Sequence, residues 1–487
     1  MARVAGAAAA AVLAWCLPAI AAAHGLAPVY QSQLPLGVYL AGAAATVALS
    51  FGFILARDLR AAPSPPGRPV HVPAAVRVGL RVAGLGGWAW AMVQGVGGGT
   101  TDAAVTGLFL WVYGWVGVAL VSALVFPVWE WLDPFATLFD IGAWAVQRTG
   151  LRGWTPSGLP GRLGVWPATA GFAFFVWLQL VVVPGTSALT LVLGGYTLLT
   201  LALMAHTGRD AWRAGGETFT VWFRTLNRLA PYGLAPVTPG DPAGESVPAL
   251  VRRPFASGLL DAEWSTARIV LVALGVASVI FDGVSRTPAY AAVLGSPGTI
   301  AGSVELGACL VLVAGLALAA ARMVSPRAIG AGLLPIAVGY LTAHYLTYLA
   351  IDGQRIVIAV SDPLGTGADL FGTAAYQVQA GWLPPGLVWM LEVVAVVGGH
   401  MLGAWAGHVA AQREMEARAN ARPPRDLRHR KIHTAPRPAV RNVRIREVPL
   451  AVVMVALSTL TLWSLGQGIV EEEHGSAAAP AAVSRAL

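Results

Sequence analysis

Long apolar runs separated by short polar breaks dominate this chain. Ten of them approach the roughly 20 residues that cross a hydrocarbon core: 36–56, 82–98, 105–126, 165–183, 187–206, 268–284, 299–321, 329–350, 387–410 and 449–468. The pattern predicts an all-α, polytopic membrane protein of about ten transmembrane helices. The segment 128–147 (VWEWLDPFATLFDIGAWAVQ) breaks the pattern with Glu130, Asp133, Asp140 and an internal Pro134. It predicts an interfacial helix, not a span. At the start, Arg3, an Ala/Val/Leu run and Ala21-Ala22-Ala23 have the form of a secretory signal peptide over 1–23. Cleavage there makes His24 the first mature residue and places both ends of the chain outside.

The organisation that follows has a first membrane region at 24–206 with five spans, then a loop region at 207–268. A second membrane region at 269–412 holds spans six to nine and an outer loop, 351–386. A basic loop (413–448), the last span (449–468) and a tail (469–487) complete it. No internal repeat is visible.

Composition agrees with the membrane class: 56% of residues are hydrophobic and 11% charged, against about a quarter charged in soluble domains. A net charge of +8 suggests nucleic acid until the cations are placed. Loops 57–81, 127–164, 207–268, 322–328 and 413–448 hold 28 of the 32 Lys and Arg residues. These loops alternate with the others, so they share one side, the inside by the positive-inside rule. The partner implied is the lipid bilayer and not nucleic acid, with the basic tail-like loop lying on anionic lipid. The outer loops are acidic: Asp102, Asp282, Asp352, Asp362, Asp369 and Glu471 to Glu473. Two cysteines, Cys16 and Cys309, exclude thiolate metal clusters.

Ionisable groups at membrane depth are costly and mark function by default. The stretch 339–408 is the richest in them, with His344, Asp352, Glu392, His400 and His408. Glu305, Glu392, Asp352 and His344 all fall near outer helix ends, where carboxylate and imidazole serve as metal ligands or as a general acid/base pair. His344 and His400 are also candidates for haem ligation. The alternative for each histidine is a hydrogen bond within the core, more so for His206 and His408 near the inner surface. The loop FDGVSRTPAY (281–290) places Asp282 and Arg286 together at a membrane surface; they can bind an ester or simply pair. His24, through its amine and imidazole, suits copper. P-loop, HExxH, CxxCH, GxSxG and dinucleotide signatures are absent.

Seven short motifs run in order along most of the chain: AHGL (23–26), DPFATLFD (133–140), GETF (216–219), FDGVSRTP (281–288), AHYL (343–346), SDPLGTGADLFGTA (361–374) and GH (399–400). In these the chain resembles the fenitrothion hydrolase-like family of bacterial polytopic membrane proteins. The resemblance implies hydrolysis of an apolar organophosphorus phosphotriester, and the reading built on it is a metal-dependent hydrolase, or one subunit beside a second membrane subunit, acting at the outer face of the cytoplasmic membrane. On that reading Asp282, Asp352, Glu305 and His344 are candidate ligands or base, with Arg286 contacting the leaving group. Three other readings stand beside it. One is copper or other transition-metal handling through His24, His344 and His400. Another is a b-type haem protein, and the last is an assembly subunit without its own activity.

Overall fold

A computed structural model describes residues 35–56, 67–98, 104–149, 155–235, 249–260, 262–295, 298–420, 455, 457 and 459–467. The expected signal peptide, His24, most of the basic loop and the C-terminal tail lie outside the described residues. Each of the first nine apolar runs is helical. In chain order the elements are α1 (Leu36–Ala56), β1 (Arg68–Val70), α2 (Ala74–Gly97), α3 (Val105–Leu124), α4 (Trp129–Leu132), α5 (Pro134–Arg148), α6 (Trp166–Val182) and α7 (Thr186–Thr207). There follow α8 (Arg209–Gly215), α9 (Thr218–Asn227), β2 (Tyr232–Leu234), β3 (Leu250–Arg252), α10 (Ser257–Leu260), α11 (Thr266–Ser285) and α12 (Pro288–Leu294). The set closes with α13 (Thr299–Met323), α14 (Pro326–Asp352), α15 (Ile356–Ser361) and α16 (Pro385–Asn420).

Among the described residues six helices are long and apolar enough to cross a membrane: α3, α7, α11, α13, α14 continued through Ser361, and α16. The helices α1 and α6 are apolar but contribute shorter stretches. The run expected as a span at 82–98 belongs to a longer helix, α2, whose first turns carry Arg77 and Arg81. It is not among the six. The all-α reading holds, with one small sheet added.

The core is α11, buried without interruption from Ile269 to Gly283. Around it pack α6, α13 and α14. The closest pair is α14 with α16, an antiparallel contact in which Gly332 meets Gly403 and Gly407, and Gly339 meets Ala395 and Gly399. Small residues at four-residue spacing let two backbones touch, which is how helices gain van der Waals contact where lipid removes any hydrophobic drive.

The three-stranded sheet joins segments far apart in sequence, in the order β1-β3-β2, all antiparallel. Arg252 stands opposite both Arg68 and Tyr232. With α4, α5, α8, α9 and α10 it makes up one end of the molecule, the sheet side. The described residues of the 207–268 loop region thus include two helices, two strands and the short α10. The expected interfacial helix is two helices, broken at Asp133, whose carboxylate accepts the Phe135 and Ala136 amides at 2.9 and 3.0 Å.

The far end carries the 353–384 segment, and it is not a simple loop either. From α14 a short turn (Gly353–Arg355) leads into α15, and the chain then folds on its own polar groups. Ser361 Oγ donates to Asp369 at 2.6 Å and accepts from Phe371 N and Thr373 N. Trp90 Nε1 donates to the Pro363 carbonyl at 2.7 Å and Tyr113 OH to Gly353 O at 2.6 Å, so α2 and α3 both hold this cap.

Candidate functional site

At the far end of α11 the last buried residues are Phe281, Asp282 and Gly283. A carboxylate that deep requires donors on every side, and Asp282 has three. His344 Nε2 stands 2.9 Å from Oδ2, Tyr345 OH donates to the same oxygen at 2.8 Å, and Arg286 Nε donates to Oδ1 at 2.7 Å. Two helices build this arrangement: α14 presents consecutive residues His344 and Tyr345, and α11 presents Asp282 and, one turn on, Arg286. Thr287 then caps α12 by accepting the Tyr290 amide, with Pro288 in the first helical position. The motif FDGVSRTP is thus a helix end, an ion pair and a helix start in eight residues.

The geometry assigns the His344 tautomer. With Nε2–H directed at a carboxylate, Nδ1 carries the lone pair of the neutral ring. Among the described residues Nδ1 has no hydrogen-bond partner, and the side chain keeps 15% of its surface. Gly283 lines the same place: a side chain there would meet His344 Cε1 and Ser464 Oγ. The arrangement is an imidazole oriented by a buried carboxylate, with its basic nitrogen open. Such a pair can accept a proton from water or from a substrate. Arg286, 56% exposed, is placed to meet negative charge.

Among the described residues no hydrogen bond or ion pair joins Asp352, Glu305, Glu392, His400, His408 or His206 to this pair. Asp352 bonds Arg355 Nε at 3.0 Å. Glu305 accepts a short hydrogen bond from Tyr290 OH, and burial together with that carboxylate raises the Tyr290 phenol above its ordinary value. His400, fully buried, has Nδ1 at 2.8 Å from Val396 O of its own helix and Nε2 at 3.4 Å from Tyr340 OH. His408 Nε2 meets Gln412 at 3.0 Å, and His206 lies beside Ser157. Glu392 forms no hydrogen bond or ion pair among the described residues. Asp362 and Asp369 close the far-end cap, and the donors are what hold both carboxyls below their ordinary value: first the Gly367 amide for Asp362, first Ser361 for Asp369.

Among the described residues no three of His, Cys, Asp and Glu gather as a metal site would require. The His344 ring has no second or third ligand beside it among the described residues, so these residues by themselves do not make a metal site. His344 and His400 each turn to a different partner, and no contact makes them a ligand pair. His24, on which the copper reading rests, lies outside the described residues.

A second polar cluster, not singled out from sequence, occupies the sheet side. Arg213 of α8 donates to Asp133 at 3.0 Å and Glu130 at 3.1 Å, while Arg224 of α9 donates twice to Glu130, at 2.5 and 2.8 Å. Glu217 caps α9 by accepting Phe219 N and Thr220 N, and Tyr196 OH donates to it at 2.5 Å. The DPF and GETF motifs are therefore the capping residues of α5 and α9, brought together around one buried arginine. Burial pushes the Glu130 carboxyl up, but the hydrogen bonds and charges of Arg224 and Arg213 outweigh it and hold the group down at about 2. Burial and the Asp133 charge raise Glu217. Asp133 and Glu130 hold Arg213 above its ordinary value against the opposing effect of burial.

The sign of the pH dependence follows from Glu130. Its folded pKa lies below the ordinary 4.5, so its contribution is fully present above that value and is lost as pH falls toward 2. The difference amounts to about 3 kcal/mol. Thermal unfolding in detergent is expected to show the Glu130 contribution as a loss of stability below pH 4.5, reduced in Glu130→Gln. A variant whose acid profile coincides with that of the parent would rule out this account of Glu130.

No family model, curated protein or solved structure matches this chain.

Proposed function

We propose that this is a ten-span protein of the bacterial cytoplasmic membrane whose Asp282–His344 pair is a general base, hydrolysing a neutral, apolar ester of the phosphotriester class at the outer face. The observation that carries the reading is the His344 ring. A buried carboxylate fixes its orientation and tautomer, and its basic nitrogen is left open. His344 Nδ1 takes a proton from water; the water oxygen forms the new bond to phosphorus as the bond to the leaving group breaks. The proton then passes to solvent, and Arg286 faces the charge that develops. Asp282 stays ionised throughout and stabilises the imidazolium, the part a buried carboxylate plays behind a catalytic histidine. A neutral lipid-soluble substrate reaches such a site from the bilayer and is not repelled by an acidic outer face.

The orientation has its own support. The sheet joins 68–70 to 250–252, and Arg213 joins 207–268 to 127–164. Three of the five loops that the distribution of basic residues puts inside therefore share one end, and the Asp282–His344 pair lies at the other.

The test is hydrolysis of a 4-nitrophenyl phosphotriester by the purified protein in lipid nanodiscs. His344→Ala is expected to lose roughly 10²–10⁴-fold in rate while eluting as a folded protein, and Asp282→Asn to lose activity with it. No turnover above the buffer rate in the parent protein, or an unchanged rate in His344→Ala, overturns the proposal.

A further inference from the structure

Beside the middle of α3 lies a cavity of about 180 Å³, walled by residues of α2, α3, α4, α5, α7 and α9. The α3 wall is wound unusually. From Leu108 to Val118 it is a π-helix, a form that mostly occurs as a single turn and frequently at functional sites. Gly114 permits that winding, because a Cβ there would stand 2.7 Å from Phe109 O. Glycines also shape the α2 wall. A Cβ on Gly84 would fall 1.7 Å from Leu132 O, so only glycine lets α2 meet α4 this closely. A Cβ on Gly87 would stand 3.2 Å from two ring carbons of Phe109, and a longer side chain would take up the space that its absence leaves.

The lining decides what kind of guest fits. Its rings are Phe109, Tyr113, Trp129, Phe135, Phe219 and Phe223. Trp129 is tilted or edge-on to three of the others, with ring centres 5.2 Å from Phe223, 6.1 Å from Phe219 and 6.3 Å from Phe135. Of the lining side chains only Tyr113 and Trp129 carry a polar atom, and both are engaged elsewhere: Tyr113 OH donates to Gly353 O, and Trp129 Nε1 donates to Thr220 Oγ1 at 3.1 Å. A buried water needs several polar partners, and these side chains offer it none. The guest is therefore apolar. An apolar cavity of about 150 Å³ takes up one benzene molecule, so this one has room for a single ring with a small substituent. Rings also attract a ring that lies edge-on or offset, beyond the burial of its area, an attraction an aliphatic chain of equal volume does not obtain. Ala83, which lines the cavity, is exposed and gives a small molecule a way in.

We propose that this cavity is a binding site for a small neutral aromatic molecule, about one benzene ring in size. It shares no residue with the Asp282–His344 pair and does not depend on the hydrolytic reading of that pair.

The experiment uses the full-length protein in phosphatidylcholine nanodiscs, with fluorobenzene as the probe and fluorine NMR as the readout. The parent should give a saturable signal distinct from that of probe dissolved in the lipid. Affinity should fall by roughly tenfold or more in Gly87→Leu, which puts a side chain into the space. It should hold in Gly86→Leu, since a Cβ on that neighbour meets nothing within 4 Å. The second probe, 1-fluorohexane, should bind roughly tenfold more weakly than fluorobenzene; equal binding would make a lipid chain end the occupant and overturn the aromatic assignment. Photolabelling of the parent with phenyl azide decides the matter if Gly87→Leu fails to fold: the labelled peptides should include 109–118 or 219–223. No saturable signal in the parent, an unchanged affinity in folded Gly87→Leu, or label confined to other segments overturns the proposal.

Discussion

Arg213→Met is expected to cost about 3–5 kcal/mol, the range for removing one member of a buried ion pair. The side chain is 4% exposed and lies between Glu130 at 3% and Asp133 at 1%. Methionine fills much of the volume but leaves Asp133 with no cation and Glu130 with Arg224 alone. Asp133 still has the two amides at the start of α5, so the helix cap survives while a charge is left uncompensated in the interior. Arg224→Met is a fair comparison, because Arg224 is 24% exposed and its loss lets water reach Glu130. Its cost should be clearly smaller. Melting temperatures of the two variants in the same detergent decide the matter. If Arg213→Met melts with its parent, or no lower than Arg224→Met, the cluster does not hold the sheet side together.

The second large effect is expected where α14 and α16 touch. A Cβ on Gly403 would stand 2.4 Å from Gly332 O, and one on Gly339 would stand 2.5 Å from Ala395 O. Both obstacles are backbone, so the neighbour has no rotamer with which to give way. Gly403→Val must separate the helices, and a cost near the top of the overpacking range, about 3 kcal/mol, is expected. The separation also opens the seam around His400 and Tyr340, which lie within it. Gly398→Val is the control on the same helix, since a Cβ there meets nothing within 4 Å. A melting temperature that falls for Gly403→Val and holds for Gly398→Val is the expected result. Equal behaviour of the two would show that the close approach contributes little.

Much of the architecture was legible because apolar length is a one-dimensional signal. The runs from 36–56 to 387–410 are all helical, and their ends fall near polar residues. Where two signals overlapped, the sequence misled. Asp133-Pro134 was read as a proline inside one helix, yet an Asp followed by Pro is also the mark of a helix cap and first turn, and that is what stands there. The strands are three residues each, too short for any alternation to show. For the candidate site, Asp282, Arg286 and His344 were each identifiable as ionisable groups near membrane ends. Their meeting was not, because 62 residues separate Asp282 from His344. Tyr345 had no signal beyond its place after His344 in the motif AHYL. Arg213 and Arg224 were hidden for a different reason: in a chain sorted by positive charge, a buried structural arginine counts the same as one lying on lipid.

The pairing of β1 with β3 has a consequence for how the protein is made. About 180 residues separate Arg68 from its partner Arg252, and ribosomes add roughly 5–20 residues per second. The first strand therefore waits on the order of ten to forty seconds for its partner, while the helices between them enter the bilayer. Closing the sheet is a late checkpoint: it succeeds only when an even number of crossings has returned the chain to the side where β1 was left.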